Sequence, residues 1–120
     1  MGYLLILTLG LFLSGCENAP QPRPPLPQPS EEEQRVAFEA VRGCLKQKAR
    51  VLDDNLSDAR TIAEALVSAC ARQYQAAAEL HGRGLSPNAK RLYLEQVPST
   101  YIEPALRAVL DYRRSKREQP

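Results

Sequence analysis

Residues 30–82 read SEEEQRVAFEAVRGCLKQKARVLDDNLSDARTIAEALVSACARQYQAAAELHG, and this stretch decides the fold. Ser30-Glu31-Glu32-Glu33 has the form of a capping box, in which the Ser30 hydroxyl accepts from the third helical amide and Glu33 reaches back. Acidic residues in a first turn also suit the positive end of the helix dipole. Beyond them Phe38, Val41, Leu45 and Leu52, with Cys44 beside them, recur at the steps of an amphipathic helix. Asp53-Asp54-Asn55 breaks the pattern. A second helix, starting near Ser57 or Asp58, carries Ala59, Ile62, Ala63, Leu66, Cys70, Tyr74 and Ala77 along one face. Gly82 and Gly84 stop it, because glycine supplies the left-handed conformations of a helix end.

Downstream, Ser86-Pro87 reads as a cap followed by a first helical residue. The short helix it opens points Ala89, Leu92 and Tyr93 inward, and Pro98 ends it. A last helix begins between Thr100 and Pro104 and presents Ile102, Ala105, Leu106, Val109 and Tyr112 on one side. Its start stays open within those limits, since Pro104 loses a hydrogen bond if the helix begins as early as Thr100. The chain shows no useful strand alternation, internal repeat or glycine-rich phosphate loop. The expected fold is all-α, a small bundle of about four helices over residues 30–117, with 118–120 as a tail.

The chain has 120 residues, enough for one domain. Sixteen Lys and Arg against fourteen Asp and Glu leave a formal charge of only +2, which excludes a strongly basic nucleic-acid binder. One histidine and no tryptophan leave few candidates for a metal cage or a His-based catalyst.

Upstream of the bundle, Tyr3 to Leu13 read YLLILTLGLFL, an almost unbroken apolar run. It falls short of the ~20 residues that a membrane-spanning helix needs, but it has the length of a signal-peptide hydrophobic region. Gly2 lacks the Ser or Thr that an N-myristoylation site needs at the position of Ile6. Leu13-Ser14-Gly15-Cys16 resembles the lipobox of bacterial lipoproteins. That resemblance implies a signal peptide over residues 1–15, cleavage before Cys16, and a diacylglycerol on the Cys16 thiol with acylation of the new N-terminus. Met1-Gly2 carries no Lys or Arg, so the terminal amine supplies the positive charge there, or the true start lies upstream. Acyl chains contribute about 0.8 kcal/mol per buried methylene, so a multiply acylated Cys16 anchors stably. By the sorting pattern of enterobacterial lipoproteins, Glu17 in place of aspartate favours the outer membrane.

Between anchor and bundle, Ala19 to Ser30 hold six of the ten prolines. Proline fixes φ and lacks a donor, so this stretch is neither helix nor central strand. Residues 16–29 are expected to form the lipidated start and an extended stalk, and the twelve residues from Ala19 to Ser30 reach roughly 35 Å at about 3.1 Å per residue. With Cys16 taken by lipid, Cys44 and Cys70 remain as a pair in an oxidising compartment. The midpoint of 44 and 70 falls beside the expected turn, which puts the two at similar heights in a helical hairpin. The same stretch is loosely similar to small exported proteobacterial proteins of unknown function. The matching parts are Cys44-Leu45, Leu52-Asp53-Asp54, Ser57-Asp58-Ala59 and Cys70, and they imply a fold element without an activity.

No constellation for catalysis, a cofactor or a metal is legible. His81 sits at a helix end, where its charge suits the dipole, and Asp53, Asp54 and Asp58 read as turn residues that bond locally. The basic end Arg113, Arg114, Lys116 and Arg117 suits a helix C-terminus and is the candidate contact for an anionic surface. The expected function is a non-enzymatic envelope lipoprotein, membrane-held at Cys16, that docks an envelope protein partner. The alternative is a spacer or cell-wall-contacting element that uses the basic last helix.

Overall fold

The computed structural model describes residues 23–119 apart from Pro25. The expected signal segment, Cys16 and the upstream part of the stalk lie outside the described residues. Within them the chain is all-α and no strand occurs. The helices are α1 (Glu31–Leu52), α2 (Ala59–Ala69), α3 (Ala71–His81), α4 (Pro87–Gln96) and α5 (Ile102–Arg117), with a 3-10 turn at Val97–Thr100 before α5.

The capping box forms at the start of α1. Ser30 Oγ accepts from the Glu33 amide at 3.2 Å, and the Ser30 amide donates to the Glu33 carboxylate at 2.8 Å. At the other end Asp53 caps α1, and Asn55 takes a positive φ of 59°, which asparagine tolerates better than most residues. Asp54 accepts from the Leu56 and Ser57 amides, and Asp58 caps α2 by accepting from Arg60 and Thr61. Asp53 accepts from the Asn55 amide at 3.1 Å, so all three aspartates bond locally as the sequence suggests, and Asp53 has a further partner taken up below.

The one long helix expected from Asp58 to His81 is two. At Cys70 the backbone leaves the α region (φ −105°, ψ 17°), and bonding resumes when the Tyr74 amide reaches the Cys70 carbonyl at 3.1 Å. No glycine or proline marks the break. Its cause is tertiary: α2 packs mainly on α5 and α3 on α1, and the change of partner falls at Cys70. That residue is fully buried and joined to Cys44 of α1, with Cα atoms 6.0 Å apart.

The core is built from Val41, Leu45 and Ala49 of α1, Ile62, Ala63 and Leu66 of α2, Tyr74 of α3, and Ala105 and Val109 of α5. Alanine at 49, 63 and 105 lets the helices approach closely, and all three are fully buried. Ala49, not Leu52, carries the last turn of the α1 stripe. The packed zone centres on the bridge, so Phe38 and Leu52 at its two ends are exposed, against expectation. The Tyr74 hydroxyl donates to the Tyr101 carbonyl at 3.0 Å, and the two rings stack with centroids 4.1 Å apart. Burial, and then the neighbouring Tyr101, push the Tyr74 phenol up to about 12.

α4 buries no residue, so Ala89 and Leu92, expected inward, stand exposed while Tyr93 and Leu94 are half-buried. A 2.6 Å ion pair between Lys90 and Glu79 holds α4 to α3, with the Lys90 stem lying over Gly82. Of the two glycines expected to be left-handed, only Gly84 has positive φ (91°), and Gly82 stays helical. α5 begins at Ile102, which places Pro104 in the first turn, where no intrahelical donor is missed.

The base of the stalk is seated on the bundle. Gln28 lies so close to Gly84 that a Cβ there would meet Gln28 Cγ at 2.8 Å. Arg83 bonds Glu33 at 2.6 Å, and the Gln34 side chain donates to the Pro29 carbonyl at 3.1 Å. Arg83 and then the Ser30 amide hold the Glu33 carboxyl down at about 2.

Candidate functional site

The expected anionic-surface contact divides. Arg113 Nε lies 3.0 Å from Asp53 Oδ2, and its Nη2 donates to Oδ1 and to the Ser57 carbonyl, each at 2.7 Å. The Asp53 side chain is fully sequestered, and the guanidinium holds its carboxyl below the usual range against the push of burial. Arg113 is therefore a strut between α5 and the α1–α2 turn, and it is removed from the exposed set. The two residues stand 60 apart in sequence, and nothing local in either pairs them. Arg114, Lys116 and Arg117 remain exposed.

Position also matters for these cations. The stalk joins at Ser30, whereas α5 ends beside the turn that closes α1. A 22-residue helix is about 33 Å long. The basic end thus lies at the opposite end of the bundle from the stalk. His81, at the stalk end, sets Nδ1 2.7 Å from the Ala77 carbonyl, a local bond at the end of its helix.

α1 and α5 lie side by side and leave between them a groove of about 1190 Å³. Leu45 forms part of its floor, with Ala108 and Tyr112 half-buried on the α5 side. Phe38 stands in it 58% exposed, with the Arg42 guanidinium 5.7 Å from the ring centroid. Towards the far end Lys116 sits 5.5 Å from the Tyr112 ring. The α1 bank carries Arg42, Lys46 and Arg50, one turn apart, and the α5 bank carries Arg107 and Lys116. Against these five cations the lining has two carboxylates, Glu39 and Asp111.

The helical period of the sequence points Phe38 to the core, and the α1 cations carry no motif of their own. One signal was present: Arg42, Lys46 and Arg50 follow at steps of four, which is one line on a helix surface. A second, shallower depression borders the bridge, lined by Gly43, Gln47 and Arg72 among others, and it is more polar. Among the described residues no three His, Cys, Asp or Glu side chains group to hold a metal, and no helix is long and apolar enough to cross a membrane.

No protein-family model, curated protein or solved structure matches the chain.

Proposed function

We propose that the protein is a lipid-anchored envelope adaptor without catalytic activity, tethered through Cys16 and docking a protein partner in the groove between α1 and α5. The observation that carries this reading is Phe38. A large aromatic left 58% exposed inside a concave, partly apolar groove has no role in the core, and such residues are the usual anchors of protein interfaces. The bridge between Cys44 and Cys70 supports an oxidising compartment, and the resemblance of Leu13-Ser14-Gly15-Cys16 to a lipobox supports the tether.

The test is a photo-crosslinking amino acid placed at Phe38 in whole cells, with the exposed Arg60 at the start of α2 as the control position. The reading expects a discrete crosslinked protein from position 38, none from position 60, and loss of the product when Cys16 is replaced by serine. Equal labelling at both positions contradicts it.

A spacer or cell-wall element is the second reading, favoured by the position of Arg114, Lys116 and Arg117 at the end remote from the stalk. It expects sedimentation with isolated peptidoglycan that moderate salt abolishes, because exposed charges are screened. Retained binding after neutralising those three residues counts against it.

A further inference from the structure

We infer that the occupant of the α1–α5 groove is a single acidic amphipathic helix, aliphatic on one face and flanked by Asp or Glu. This deepens the adaptor reading and rests on it for the claim that the partner is a protein. Three features of the groove select this chemistry.

The first is length. From Phe38 to Arg50 on α1, and from Pro104 to Lys116 on α5, each bank runs twelve residues, or about 18 Å. That accommodates three to four helical turns. The banks are themselves helices, and among the described residues there is no strand whose edge a peptide strand would extend. Helix-in-groove recognition is the mode this architecture offers.

The second is charge. Arg42 pairs with Glu39 at 3.3 Å and Arg107 with Glu103 at 2.6 Å, both in exposed positions. Among the described residues Lys46, Arg50 and Lys116 have no carboxylate partner, so cations on both banks are free to meet carboxylates of an occupant. Complementary charge of this kind sets partner choice and register more than raw affinity. The third is shape. The apolar floor is recessed between the banks, and Phe38 and Tyr112 stand along it. A flat anionic surface would meet the rim cations and leave that floor empty. A helix fills it.

The experiment uses the full chain in dodecyl maltoside micelles and two fluorescein-labelled sixteen-residue peptides. One has leucine at i, i+3, i+4 and i+7 with glutamate elsewhere on its flanks, and its twin has lysine at every glutamate. Saturable anisotropy is expected for the glutamate peptide, with the lysine peptide at least about tenfold weaker. Phe38→Ala, and separately Lys46→Glu with Arg50→Glu, should each weaken binding by about tenfold or more, as loss of an interface anchor does. Equal binding of the two peptides overturns the inference, and so does binding that neither variant disturbs. Phosphatidylglycerol vesicles form a third arm. If they bind the chain through Lys46 and Arg50 while the glutamate peptide does not, the groove faces lipid and the inference fails. The peptide comparison needs no variant to fold. Because it also needs no tether, its failure leaves the anchored adaptor standing, and a chain found without lipid that still binds the peptide separates the two claims.

Discussion

Two residues separate what holds the bundle from what it displays. Arg113 is held by a sequestered carboxylate and a backbone carbonyl. Removing one partner of such a pair leaves the other buried and uncompensated. Arg113→Met should therefore lower the melting temperature by about 10 °C, as read by far-ultraviolet circular dichroism, whereas Arg114→Met should leave it nearly unchanged. Equal effects would mean that the strut is no more than a surface ion pair. Phe38 is the converse case. Phe38→Ala should shift stability by no more than about 0.5 kcal/mol, the range of surface substitutions, while weakening binding of the glutamate peptide by about tenfold. A loss of several kcal/mol would place Phe38 in the core after all.

At the scale of elements, the hairpin was readable because its signals are local. The capping box at Ser30, the aspartates of the turn and the period of the apolar residues each act within a few positions. What could not be read depends on partners distant in sequence. The break at Cys70 follows from a change of packing partner, and the Arg113 strut spans 60 residues. The exposure of Phe38 follows from where α5 lies. The groove was half-legible, in the line of Arg42, Lys46 and Arg50, although its other bank was not. The proline-rich stretch signals an extended chain, but nothing in it signals that Gln28 lies against Gly84. Gly84→Ala adds a Cβ at positive φ and drives it into Gln28. Faster exchange of the hydrogen-bonded Arg83 and Leu85 amides is the expected result, measured by hydrogen exchange. Unchanged exchange at both would show that the contact of Gln28 with Gly84 does not hold this turn.

For the whole molecule, stability rests on a short core and a covalent bridge. Closing the loop between Cys44 and Cys70, 26 apart in sequence, should contribute about 3.5 kcal/mol in the loop-entropy model. Reduction is expected to lower the urea midpoint accordingly, and no change would contradict that role. Acid adds a second dependence. Glu33 and Asp54 are held at about 2, against ordinary values of 4.5 and 3.8, and Asp53 and Asp58 are lowered too. Folded values below the unfolded ones mean that this stabilisation is complete above about pH 4.5 and drains away as pH falls towards about 2. A melting temperature flat from pH 5 to 7 and falling below pH 4.5 is the expected profile, and a rise on acidification would reverse its sign.

The proposed function depends on the proposed tether, because an adaptor at the end of a stalk acts only where it is anchored. The direct measurement is the intact mass of protein extracted from membranes and alkylated without prior reduction. The expected result is a chain that begins at Cys16, carries acyl mass and contains no alkylated thiol. An unprocessed chain with three alkylated cysteines would contradict both the anchor and the bridge.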